Sequence, residues 1–135
     1  MTVIDLMKSM GEMGTMFREK DINDIIDYCA LMLHDERVIQ IDCEGKPCAF
    51  IFYSITDEPE KFLKKGTYEY FPHEPKSKTV YVEKLVSLSW NRDLRVIFER
   101  IIRDKYPQLE FGVWHRRGNW GDRKVVTQRR LKCTK

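Results

Sequence analysis

The apolar positions of this chain change period several times, and each change predicts an element. In "VIDLMKSMGEM" (residues 3–13), Val3, Leu6, Met7, Met10 and Met13 recur in steps of three and four, the spacing of an amphipathic helix. Gly11 and Gly14 weaken its end. "DINDIIDYCALMLHDE" (21–36) repeats the helical spacing, with Ile22, Ile25, Ile26, Cys29, Met32 and Leu33 as the expected buried stripe. Asp21 is a suitable N-cap, and Asp24 lies in the first turn, where a carboxylate complements the helix dipole. The pattern then changes to that of a hairpin in "RVIQIDCEGKPCAFIFYSI" (37–55). Val38, Ile39 and Ile41 form one arm, and Glu44-Gly45-Lys46-Pro47 carries turn chemistry. Residues 48–55 are almost continuously apolar, as in a central strand covered on both faces.

Beyond a predicted short helix at 57–66 and a loop with two prolines, "TVYVEKLVSLSWNRDLRVIFERIIRDKYPQLEFGVWHRRGNW" (79–120) reads as strand, turn, helix and strand. The strand is expected over 79–88 and the helix over 92–105, ended by Pro107; the second strand is expected over 109–115. Leu94, Ile97, Phe98, Ile101 and Ile102 are the expected buried face of that helix, with Arg95, Glu99, Arg100, Arg103 and Lys105 outside. "RKVVTQRRLKC" (123–133) predicts a last strand. The order predicts a single α/β (α+β) domain over 1–135, a mixed sheet with helices packed on its faces.

A length of 135 residues supports one domain with one core. With 42% hydrophobic and 33% charged residues the composition is that of a soluble globular protein, and no uncharged apolar run approaches a membrane span. Asp5 and Lys8 interrupt the apolar N-terminus, unlike a signal peptide, so a cytoplasmic location is expected. Cys29, Cys43, Cys48 and Cys133 contain no CxxC pair, so zinc is not indicated. Cys43 and Cys48 flank the expected hairpin turn, and the simple reading is of reduced cysteines in or near a core. The net charge of +3 is unevenly spread: residues 112–135 carry +7, with eight Lys/Arg against Asp122, and residues 1–111 carry −4. A basic end on an acidic body suits an anionic partner, or is the solvated face of a final strand.

Strand–helix turns often hold ligands, which singles out Trp90, Asn91 and Arg92. Arg92 is available to a phosphate; Asn91 as a cap and Trp90 as a structural residue are the alternative. Of the three histidines, His115 follows Trp114 at a strand end and is the candidate for catalysis, against a solvated strand-end role. Arg116, Arg117, Arg123 and Lys124 interleave with Trp114 and Trp120, a mixture suited to a partner protein, to single-stranded nucleic acid, or to a structural turn. Ser87 and Ser89 lack a nucleophile elbow.

The element order resembles that of acyltransferases with the GNAT-like (N-acetyltransferase) fold. There, the fourth strand and the following helix hold the coenzyme A pyrophosphate, and the fourth and fifth strands splay to admit the pantetheine arm. Strands 79–88 and 109–115 would be that pair. "MGEMGTMF" (10–17), "QIDCEGKPCAFIFYSITDE" (40–58) and "VYVEKLVS" (80–87), with "IIRDKYPQLEFGVW" (101–114), resemble the lysine acyltransferases that activate bacterial repeat-in-toxin haemolysins. That likeness implies transfer of an acyl group from acyl carrier protein or coenzyme A to a protein lysine, with acyl-ACP or acyl-CoA as co-substrate and an acidic carrier as partner. It also implies Glu12 in place of the family's catalytic histidine and Glu83 in place of its strand aspartate. Residues 1–20 contain no histidine, and "LSWNRDL" (88–94) has no glycine with which to approach a pyrophosphate. These departures fit a diverged, phage-encoded member, either an altered enzyme or a non-catalytic interaction protein. A nucleic-acid module using residues 112–135 is the remaining expectation.

Overall fold

The apolar run at 48–55 lies in the middle of the molecule because both of its faces are covered. The computed structural model describes residues 1–12, 22–57, 73–87, 90–116 and 125–131. Over these the order is α1 (Val3–Glu12), α2 (Ile22–His34), β1 (Val38–Cys43), β2 (Lys46–Ile55), β3 (Thr79–Ser87), α3 (Arg92–Lys105), β4 (Phe111–Arg116) and β5 (Val125–Arg130). The strands form one five-stranded sheet in sequence order. β3 and β4 are parallel and the other neighbours antiparallel. A parallel pair needs a crossover, which α3 provides. The fold is α+β, a mixed and mainly antiparallel sheet flanked by helices, as the periodicity predicts.

Alternation along β2 splits the core. Ala49, Ile51, Tyr53 and Ile55 join Ile39, Ile41, Val80, Leu109 and Leu131 beneath Leu94, Phe98 and Ile102 of α3. Phe50 and Phe52 face the other way, against Leu6 and Met10 of α1 and Ile25, Tyr28, Cys29 and Met32 of α2. Each such apolar side chain contributes about 1.5–3 kcal/mol relative to exposure. Removing the β2 pattern would therefore uncover both layers at once. Burial also pushes the Cys29 thiol up to about 12, so it packs as a small apolar residue.

The helix ends are set locally. The Thr2 hydroxyl accepts the Asp5 N–H at 3.1 Å and the Asp5 carboxylate accepts the Thr2 N–H at 3.3 Å. That reciprocal cap holds the Asp5 carboxyl below its usual value. Asn91 caps α3 by accepting the Leu94 N–H at 3.0 Å.

Several positions differ from the sequence reading. On α3, Glu99 is 3% exposed, while Ile97 and Ile101 are 38% and 37% exposed. The buried stripe follows Leu94, Phe98 and Ile102 at four-residue steps, which turns Ile97 and Ile101 to its flank. On α2 the stripe takes Tyr28 inward and leaves Ile22 and Ile26 exposed. Tyr28 is drawn in by a buried carboxylate, described below. Asp57 does not fall within a described helix; its carboxylate accepts the Lys78 N–H at 2.9 Å. The helix expected at 57–66 otherwise lies outside the described residues, as do Asp21 and Met13. β4 begins at Phe111, two residues later than expected. Cys43 and Cys48 are joined as a disulfide, with Cα atoms 5.8 Å apart, where the sequence reading kept them reduced.

Candidate functional site

Two interruptions of the sheet coincide at Glu83. Between β2 and β3 the register runs Tyr53↔Val82 and then Phe52↔Lys84, so Glu83 is the extra residue of a β-bulge. Bulges redirect side chains and recur next to functional sites. Between β3 and β4 the parallel register covers four pairs, from Thr79↔Phe111 to Val82↔Trp114. β3 continues to Ser87 and β4 to Arg116 beyond that register. The pairing of the two strands thus stops one residue before Glu83 and His115. The face phase of β3 also changes there. Val80 and Val82 pack beneath α3, whereas Val86 packs with α2.

The Glu83 side chain, next to Val82 and on the opposite face, lies in the layer between the sheet and α2. Glu83 Oε1 accepts the Tyr28 hydroxyl at 2.9 Å. Glu83 Oε2 accepts Arg37 Nη2 at 2.7 Å and also the Ser54 hydroxyl. Arg37 is fully buried, and Glu83 is 8% exposed. Arg37 Nε donates to the Tyr53 carbonyl at 3.0 Å, Nη2 also donates to Ser54 Oγ, and Nη1 reaches Asp35 Oδ2 at 3.4 Å. A guanidinium at this depth is tolerable only with a carboxylate and further acceptors around it. Burial and the adjacent Glu83 charge raise the Tyr28 hydroxyl well above its ordinary value, so it stays a donor.

The other sequence candidates are scattered around this centre. Glu12 is the last residue of α1 and is exposed, outside the buried Glu83 network. Trp90 is 37% exposed, Asn91 is the α3 cap, and Arg92 is the exposed first residue of that helix. All three follow the end of β3 at which its pairing to β4 has ceased. His115 and Arg116 are the last residues of β4, opposite Val126 and Val125 of β5. Arg117, Arg123 and Lys124 lie outside the described residues. The partners of Glu83 were missed because they are far apart in the chain. A single signal existed: Ser54 is a polar residue inside the otherwise apolar run at 48–55.

A second polar cluster sits where β2 ends. His73 Nδ1 accepts the Ile55 N–H at 3.0 Å, and its Nε2 lies 3.4 Å from the Tyr106 hydroxyl. Its ring meets Tyr53 and Tyr106 edge-on, with centroids at 6.4 and 6.0 Å. Lys105 Nζ stands 5.8 Å from the Tyr106 ring centroid and donates to the Glu36 carbonyl at 2.8 Å. Burial first, and Arg37 second, lower the His73 imidazole to about 4, so it is a neutral acceptor here. This cluster ties the chain beyond residue 72 to the sheet.

Among the described residues, no group of three metal-ligating side chains comes together, and no helix is long and apolar enough to cross a membrane. No family model matches the chain, and a search of curated proteins returns no match.

Proposed function

We propose that this chain is an acyltransferase-like protein of the cytoplasm, with its donor site between the unpaired ends of β3 and β4. The donor class is an acyl thioester on acyl carrier protein or coenzyme A, and the acceptor class is a protein lysine. The observation that carries this reading is the parallel pair that stops at Val82↔Trp114, with α3 starting at the same end of β3. A pantetheine arm is an extended chain of amides, suited to hydrogen-bond along a free strand edge as an added strand would. Leu85 and Trp90, 41% and 37% exposed, offer it apolar surface. Arg92, exposed in the first turn of α3, is the cation available to a phosphate.

Glu83 fits this site as a structural residue. A general base needs a lone pair facing its proton donor. Both Glu83 oxygens already accept from Tyr28, Arg37 and Ser54. With Glu12 exposed as well, these observations favour the version without catalysis: a phage-encoded interaction protein, related to the toxin-activating acyltransferases, that keeps the donor site. His115, one residue past the last β3–β4 pair, is the remaining acid–base candidate. Basic residues 112–135 would then serve an acidic carrier.

Calorimetric titration with coenzyme A, acyl-CoA and acyl-ACP tests the site. Saturable binding is expected, weakened about tenfold by Arg92→Ala, the equivalent of one charge-assisted contact. A transfer assay with a lysine peptide separates the enzyme from the non-catalytic version, and His115→Ala abolishes any transfer that runs through that residue. Absence of donor binding at millimolar concentration, with tight binding of a single-stranded oligonucleotide instead, would overturn the reading.

A further inference from the structure

We propose that Cys43 and Cys48 form a reversible dithiol–disulfide pair that fixes the β1–β2 hairpin and, through it, the free end of β3. This inference does not depend on what the β3–β4 opening binds.

The hairpin is built to bring these cysteines together. Glu44 and Gly45 have φ of 54° and 80°, so both turn residues take the left-handed conformation of a two-residue hairpin turn. The ladder starts regularly, Cys43↔Lys46 and Asp42↔Pro47, and then skips to Ile41↔Ala49. Cys48 is therefore a bulge residue. Pro47 has no N–H to give the ladder, and prolines in strands collect at such bulges. In an unbulged ladder Cys43 and Cys48 would be diagonal neighbours, about 7–8 Å apart and beyond disulfide reach. Here their Cα atoms are 5.8 Å apart, inside that reach. Forming the bond favours the bulge, and breaking it frees Cys48 to return to the regular register.

The bulge is connected to the site end of the sheet. The Cys48 carbonyl accepts the Ser87 hydroxyl at 2.8 Å, and the next residue, Ala49, pairs with Ser87. Ser87 is the last residue of β3. A register change at Cys48 acts directly on both contacts. The chemistry also favours this pair. Cys43 is exposed and open to attack from solvent, while Cys29 is fully buried with its thiol raised to about 12, which keeps it out of exchange. With oxidised glutathione as oxidant, the Cys43 thiolate attacks one glutathione sulfur and expels a glutathione thiolate. The Cys48 thiolate then attacks the Cys43 sulfur and expels the second. One S–S bond has replaced another, and the two thiol protons end on the two glutathiones.

The test uses the intact chain in glutathione buffers stepped from oxidised to reduced, quenched by alkylation under denaturing conditions and weighed. The expected result is two labels per chain in the oxidised limit, on Cys29 and Cys133, and four in the reduced limit, with a reversible midpoint between them. Hydrogen exchange of amides in residues 41–49 and 84–87 should be at least about threefold faster in the dithiol form, because those amides lose a fixed register. The Cys43→Ser/Cys48→Ser variant should exchange like the dithiol form and ignore the buffer. Four labels throughout, two labels that dithiothreitol leaves unchanged in the native protein, a disulfide between chains, or identical exchange in both forms would each overturn the proposal.

Discussion

Replacing Glu83 by alanine removes the carboxylate that makes a buried arginine tolerable. Arg37 is fully buried, and its shortest contact with a charged group is the 2.7 Å bond to Glu83. Breaking a buried pair by deleting one partner costs about 3–5 kcal/mol, because the surviving charge is left in a poorly polarisable surround. Three features place this site at the lower end of that range. The Tyr53 carbonyl, the Ser54 hydroxyl and Asp35, whose side chain is 24% exposed, remain beside the guanidinium. The Tyr28 hydroxyl loses its acceptor as well, but penalties within one network do not add. A loss of about 3 kcal/mol is expected for Glu83→Ala, a large part of the 5–15 kcal/mol that typically holds a domain folded. For a chain of this length that lowers Tm by roughly 10 °C.

The assay is urea unfolding followed by circular dichroism and tryptophan fluorescence together, so that a change in slope is not mistaken for a change in stability. The informative comparison is the double variant Arg37→Met/Glu83→Leu. It removes both charges and fills their space, and apolar replacement of a whole buried pair is often neutral or stabilising. The double variant should therefore be more stable than Glu83→Ala by at least about 2 kcal/mol. A Glu83→Ala cost below about 1 kcal/mol would refute the claim that this network is a dry ion pair. So would a double variant as weak as the two single changes summed, since that would leave no coupling to explain.

Two further outcomes follow from local contacts. His73 is held near 4 against an ordinary value of 6.5, so the unfolded chain takes up its proton first as the pH falls. The contribution of His73 is present above pH 6.5 and is lost between 6.5 and about 4; a pH series of urea midpoints should decline there, and His73→Asn, which keeps an acceptor for the Ile55 N–H without titrating, should flatten the decline. Asn91→Ala removes the acceptor of the Leu94 N–H and should cost about 1 kcal/mol in thermal unfolding, while Asn91→Asp, which keeps the oxygen and adds a charge favoured at a helix start, should cost nothing measurable.

The sequence disclosed the fold because the fold is written in local periodicity. The run at 48–55, the four-residue steps of Leu94, Phe98 and Ile102, and the capping asparagine each specify their element without distant help. The site was legible only as positions, because its geometry comes from register. Glu83 looks like an ordinary alternating residue of "VYVEKLV"; nothing local says that the ladder to β2 slips there. Its partners enter from 55, 46 and 29 residues away, so no window of helix or strand length contains them. The same limit explains α3. A helical wheel treats all apolar residues alike and put Ile97 and Ile101 inside and Glu99 outside, whereas burial is decided by what the sheet offers beneath each position. Position 83 also shows why the slip matters. In an unbulged β3 a residue between Val82 and Lys84 would have a cross-strand neighbour on β2, and its ladder groups would be committed to it. The slip leaves that residue outside the ladder, and the parallel register with β4 ends one residue earlier. The buried network with Arg37, Ser54 and Tyr28 then holds the one residue that, among the described residues of β3, lies outside both ladders. The anchoring of the network and the end of the β3–β4 register thereby fall at a single stretch of backbone.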